Sequence, residues 1–334
     1  MGRIKGYVKE KFYQVKKNIE EVLINNTYKR NIYYIFALLV ALFLAAREIP
    51  TQLDDVNYIN YVHFSGQIIA QNIKDISFIV VDEPLWLVIN FLLGIIIDPI
   101  MAVRIIIFVS VFLILFALGK YTNYSLLSII FYLLIEQIVK NNILHLRQGL
   151  AIAVFIFAFS LKGKWKNLMF LSPLIHTSFW FVMLFYVYDI ISKKLTNYRR
   201  ILYFTLCSIT LILSLGFIVS ILGDRRADLY SFSFLNLASG KAFIWWGMFL
   251  VLFYLGTIKT QMQRIAVYGI IFYLLSYFLL DFGARVFENF VILVLLVSLI
   301  SSKSTGWKTT LLTLLGIYSL LDIIINGHIL FSLF

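Results

Sequence analysis

The chain has one cysteine, Cys207, and four prolines in 334 residues, and only 14% of its residues are charged. A lone cysteine cannot close an intrachain disulfide, so the redox compartment is not readable from it. No glycine-rich phosphate loop and no dinucleotide fingerprint occurs, and no polar segment is large enough to fold as a nucleotide-binding domain. No cofactor is expected, and any activated group must arrive with a membrane-embedded substrate. No linker separates two domains and no repeat recurs. About thirty polar, basic residues precede the first apolar run and no small-residue cleavage site follows it, so a cleavable signal peptide is not expected.

What the chain has instead is apolar length. Hydrophobic residues make up 61% and mean hydropathy is +0.89, with apolar runs near the length needed to cross hydrocarbon recurring from end to end. This predicts an all-α, polytopic integral membrane protein with about 10–12 transmembrane or half-membrane helices. Net charge is +12, from 29 basic and 17 acidic residues. The positive residues flank apolar runs, as the positive-inside rule predicts, rather than forming a nucleic-acid surface. No nucleic-acid partner is expected.

Residues 1–30 carry eight basic side chains with Val8, Phe12, Val15, Ile19 and Val22 at helical spacing, which predicts a basic amphipathic helix on the cytoplasmic leaflet. Residues 31–334 form a single membrane domain. Its first span, about Asn31 to Ala46, exits to an acidic outer loop, 47–98, with interfacial helices. The runs Pro99 to Gly119, Tyr124 to Val139 and Leu146 to Leu161 then cross in turn. Residues 167–192 have basic residues on both sides and should turn back as a helical hairpin, with Pro173 to His176 in its outer half. Five further crossings follow to Ile325.

That topology gathers polar groups on the outer face. The stretch Asn141-Asn142-Ile143-Leu144-His145-Leu146-Arg147-Gln148-Gly149 lies between two apolar runs. Arg147 falls at a helix start, where the macrodipole disfavours a cation. Two readings stay open for it: a positive pocket for a phosphate or pyrophosphate, or an arginine snorkelling to lipid headgroups. His176 sits among apolar residues, either lining a cavity or as a satisfied buried histidine. Asp54-Asp55 is a thin metal-ligand set that helix N-capping explains as well, so no metal is expected. Gly149 and Ala153 read as a packing face. Tyr58, Tyr61, His63 and Phe64 lie beside acids, where aromatic rings can stack on sugars.

Four segments together resemble the bacterial EpsG and Wzy-type polysaccharide polymerases. They are Arg47 to Tyr61, Glu83-Pro84, His145-Leu146-Arg147-Gln148-Gly149-Leu150-Ala151 followed by Ile175-His176-Thr177-Ser178, and Asp281-Phe282-Gly283-Ala284-Arg285. Val286-Phe287-Glu288 offers fewer aromatics after the late arginine than such proteins have. The resemblance implies a GT-C-like membrane glycosyltransferase in the bacterial cytoplasmic (inner) membrane, with its N-terminus cytoplasmic and its active site facing the periplasm or outside. Its substrate would be an undecaprenyl-pyrophosphate-linked oligosaccharide repeat unit, in O-antigen, capsule or exopolysaccharide biosynthesis. Membrane lipid, a chain-length regulator and a flippase of the same pathway would be its partners. On that basis Arg147 and Arg285 are assigned to the developing diphosphate charge and His176 to the base, with Asp55 in reserve. Arg47, Asp55, Tyr58, Glu83, His145 and Gln148 are assigned to substrate binding. A lipid-linked glycan flippase or transporter, an O-antigen ligase and a membrane O-acyltransferase remain as alternatives.

Overall fold

The computed structural model describes residues 26–51, 53–74, 77–221, 240–256, 258–280, 282–300 and 304–332. The amphipathic N-terminal segment up to residue 25, the polar loop holding Asp224, Arg225 and Arg226, and Asp281 lie outside the described residues. Every regular element described is a helix, as expected.

The helices are α1 (Asn26–Ala45), α2 (Leu53–Asn72), α3 (Ser77–Val81), α4 (Pro84–Ile96), α5 (Pro99–Tyr121), α6 (Leu127–Leu134), α7 (Glu136–Ile143), α8 (Leu146–Phe159), α9 (Ser172–Ile175) and α10 (Phe179–Ile191). After them come α11 (Asn197–Ile221), α12 (Lys241–Leu255), α13 (Gln261–Ser276), α14 (Gly283–Ile300) and α15 (Thr305–Asn326), with a 3₁₀ helix at Gly163–Leu171 before α9. Their starts follow local chemistry. Asp98 accepts from the Met101 N–H at 3.1 Å with Pro99 at the first helical position, Thr260 and Gln263 form a capping box on α13, and Ser304 accepts from the Trp307 N–H.

Four segments are long and apolar enough to cross a bilayer: α1, α5, α14 and Gly306–Ile325 of α15. A fifth is counted if α7 and α8, which meet at a 110° bend, make one broken span. This arrangement is compatible with a polytopic membrane protein. Apart from α11, which is 25 residues long, the other expected crossings are shorter helices, and the reason is clearest at Tyr124 to Val139. The sequence there reads as one outward span, but the structure breaks it at Ile135, whose backbone is extended, into α6 and α7 of eight residues each. The next two residues are Glu136 and Gln137, and His328 hydrogen-bonds through Nε2 to the Leu133 carbonyl at 3.0 Å. A side chain thus takes up a carbonyl that an unbroken helix would use.

The hairpin segment bends at His176, which is extended between α9 and α10. Lys166 and Lys193, at its two ends, lie close enough for their charges to interact. Near that end Asp189, fully buried, binds Arg264 at 2.5 and 3.0 Å and has Arg200 at 3.9 Å. This anchors α10 to α13 and to the start of α11. The core is continuous, running from Tyr33 on α1 through α5, α8 and α10 to α13 and α14.

Candidate functional site

The helices α2 and α4 and the bend between α7 and α8 position the candidate site. Gly149, in the first turn of α8, lies directly on the end of α7: a Cβ there would sit 2.2 Å from the Asn141 carbonyl oxygen and 2.8 Å from the Asn142 Cα. Only a residue without a side chain permits this approach. The expected small-residue face therefore packs, at Gly149, against the chain's own preceding helix. The Leu146 N–H, one of the donors left over at a helix start, is taken by the Tyr58 hydroxyl of α2 at 3.0 Å. Tyr58 is buried and edge-on to Trp86. In this structure it caps α8, a role different from the sugar contact assigned to it.

Arg147 projects from this bend to Glu83, with Nη1 2.7 Å from Oε2. Its guanidinium also lies over the Tyr61 ring, 5.5 Å from the centroid. The other oxygen of Glu83, Oε1, receives His176 Nδ1 at 2.6 Å and the Thr177 N–H at 3.1 Å. One carboxylate therefore joins the start of α4, the first turn of α8 and the turn between α9 and α10. Glu83 is 2% exposed. Burial alone would raise its pKa; the charge and hydrogen bond of His176, then Arg147 and the Thr177 N–H, outweigh this and hold it down at about 2. Its backbone is left-handed at φ 55° and ψ 59°, immediately before Pro84 starts α4. Such a conformation in a residue with a side chain is costly and is held by its surroundings.

With Nδ1 directed at Glu83, the His176 ring is oriented and Nε2 is its remaining nitrogen. Arg147 has a side chain 29% exposed, and among the described residues no second hydrogen-bond acceptor takes its guanidinium. The site thus sets a guanidinium with donors to spare and an oriented imidazole on one buried anion.

Gln148 turns the other way. Its Nε2 donates to the Arg285 carbonyl at 2.9 Å and to Asn289 Oδ1 at 3.0 Å, and Asn289 Nδ2 donates to Ser178 Oγ at 2.9 Å. This chain ties α8, α14 and the turn after His176 together. Gln148 is buried and holds protein to protein. The backbone of Arg285 is thereby fixed beside the residue that follows Arg147, while Arg285 itself is exposed. His145 Nδ1 lies 3.2 Å from Asn141 Oδ1 and 3.8 Å from Glu288 Oε2, with the histidine side chain one-third exposed.

Arg47 and Asp55 occupy a different position from the one assigned to them. Both side chains are 0% exposed, and they bind each other bidentately, Nη1 to Oδ2 at 2.8 Å and Nη2 to Oδ1 at 2.5 Å. Arg47 also donates to the carbonyls of Glu48 and Ile143, and Asp55 accepts from the Thr51 N–H. The pair clamps the end of α1, the start of α2 and the C-terminus of α7. A carboxylate so occupied is a poor reserve base, since its lone pairs already face a guanidinium. Among the described residues no group of three His, Cys, Asp or Glu side chains gathers to hold a metal ion.

Asn289 was not singled out from the sequence, where an asparagine in an apolar helix carries no spacing signal. Ser178 had one, its place in the His176-Thr177-Ser178 run. No protein-family model, curated protein or solved structure matches this chain.

Proposed function

We propose that the chain is a polymerase of lipid-linked oligosaccharide repeat units, a membrane glycosyltransferase of GT-C-like architecture acting at the outer leaflet of the bacterial cytoplasmic membrane. Its substrates are repeat units on undecaprenyl pyrophosphate, and a flippase and a chain-length regulator of the same pathway are its partners. The observation that supports this best is the convergence of Arg147 and His176, 29 positions apart, on the two oxygens of Glu83.

In the reaction, a hydroxyl of one lipid-linked unit attacks the anomeric carbon of the growing chain. The new glycosidic bond forms as the bond to undecaprenyl pyrophosphate breaks, and the electron pair of that bond leaves on the diphosphate. Arg147, with Arg285 as its expected partner, stabilises the negative charge that accumulates there. His176 accepts the hydroxyl proton at Nε2, because Glu83 fixes Nδ1 as the protonated nitrogen; this is the division of labour in a carboxylate–imidazole pair. Glu83 thereby acts as a positioning residue, in place of the direct substrate contact first assigned to it.

Deleting the protein from its host tests the reading. The expected result is loss of polymer with accumulation of single lipid-linked repeat units on the outer leaflet. Accumulation on the inner leaflet would identify a flippase. Normal polymer left on the lipid carrier, instead of on its final acceptor, would identify a ligase.

A further inference from the structure

The opposite end of α7 from Arg147 carries a second polar group in apolar surroundings. Directly after the break at Ile135 stand Glu136 and Gln137. Gln137 Nε2 donates to Asp322 Oδ2 on α15 at 3.2 Å, and the Glu136 carboxylate interacts with the charge of Asp322. Tyr318, one turn before Asp322, brings its hydroxyl to the side chains of Gln137 and Trp246. Its ring stacks on Trp245 with centroids 5.5 Å apart and planes at 26°, and meets Trp246 at 5.5 Å and 60°. Two carboxylates, a carboxamide, a phenol and two indoles are thus assembled from α7, α12 and α15.

As packing alone this set is unfavourable, because two carboxylates of like charge face each other in an apolar bundle, an effect that the neighbouring charges of Lys140 and His328 offset. Metal binding fits poorly, since no third ligating side chain joins the carboxylates among the described residues. A saccharide fits. Carboxylate and carboxamide oxygens accept hydrogen bonds from ring hydroxyls, and aromatic rings cover the apolar C–H faces of a pyranose. The Trp245 indole N–H is buried and has no acceptor among the described residues, which adds an uncommitted donor of the kind a hydroxyl oxygen takes.

We propose that Glu136, Gln137, Asp322, Tyr318, Trp245 and Trp246 form a saccharide-binding subsite. An eight-residue helix is about 12 Å long, so this subsite and the bend that carries Arg147 lie at opposite ends of α7, a separation comparable with the length of a few linked sugars. Its place on the reaction path rests on the polymerase reading, with the diphosphate at Arg147 and the sugars extending along α7. The binding of free glycan does not rest on that reading.

The test is isothermal titration of the purified full-length protein in lipid nanodiscs with oligosaccharides released by mild acid from the host's own surface polysaccharide. Saturable binding at up to millimolar glycan is expected. Asp322→Asn and Trp245→Ala should each weaken it about tenfold, the loss of one hydrogen bond or ring contact. In cells the two subsite variants should shorten the polymer ladder and still form the first linkage. Trp245→Phe keeps the ring and removes the N–H, so it tests the same contact if Trp245→Ala does not fold. Absence of saturable binding to wild type, or wild-type affinity in both Asp322→Asn and Trp245→Phe, overturns the subsite. If glycan binds and the variants lose it, yet wild type makes no polymer, the subsite stands and the polymerase reading falls.

Discussion

Arg147 and His176 are bound to opposite oxygens of one buried carboxylate, that of Glu83, at 2.7 and 2.6 Å. Removing that carboxylate should disable both residues at once. Glu83→Gln leaves a guanidinium without its counter-ion and an imidazole free to rotate; the loss of a buried ion-pair partner costs about 3 kcal/mol. We expect no polymer on a gel at matched protein levels and a lower unfolding temperature. Polymer at the wild-type rate would show that neither residue needs Glu83 for its task.

Arg147→Lys should be nearly as damaging as Arg147→Ala. Nη1 is held by Glu83, so under the proposed polymerase reaction the remaining guanidinium donors are the ones a diphosphate would take. An ammonium has no planar fork with which to hold a carboxylate and present a second edge. Loss of one such transition-state contact is worth on the order of 3 kcal/mol, or about 100-fold in rate. Single-turnover rates with lipid-linked repeat units measure it; a lysine variant within a few-fold of wild type would mean that a diffuse positive charge suffices.

Acid should release the site. The Glu83 pKa is depressed to about 2 from an ordinary value of 4.5, so the stabilisation is fully present above about pH 4.5 and is lost as pH falls toward 2. At neutral pH it amounts to about 3 kcal/mol. Between pH 5 and 3 the unfolding temperature of wild type should fall more steeply than that of Glu83→Gln. Parallel profiles would remove Glu83 as the acid-sensitive group.

Gly149→Ala should destabilise the bend between α7 and α8. The added methyl would meet the Asn141 carbonyl at 2.2 Å, and backbone cannot yield as a side-chain tip does. A cost of about 1–3 kcal/mol is expected, with loss of polymer, since Arg147 and Gln148 precede it on the same turn. Thermal unfolding and the polymer ladder check both; an unchanged unfolding temperature would show that the bend opens freely.

Much of the helical layout is legible in the sequence because it depends on local signals. Pro84 and Pro99 mark helix starts, Asp98 caps one of them, and the apolar runs fix α5, α14 and α15 to within a few residues. The break at Ile135 is not legible, since the hydrogen bond from His328 that supports it comes from nearly 200 residues downstream. The same limit applies to the site. The sequence marks Arg147, His176 and Glu83 as unusual, yet nothing in their spacing says that one carboxylate binds the other two. Arg47 and Asp55 show the converse. A charged pair in an outer loop looks like a ligand site until the Ile143 carbonyl, about 90 positions away, is seen to complete a clamp.

The left-handed backbone at Glu83 makes this position answer to two masters. Glycine would relax the backbone and abolish the anion, while glutamine keeps the length and shape of the side chain and abolishes the anion without relaxing the backbone. Aspartate, more at ease in that conformation than glutamate, keeps the charge but shortens the arm by one methylene, so it cannot reach Arg147 and His176 together without movement of α4. Random mutagenesis should therefore find this codon close to immutable, and a compensating change at Pro84 or in the Thr177 turn is the place to look for an escape.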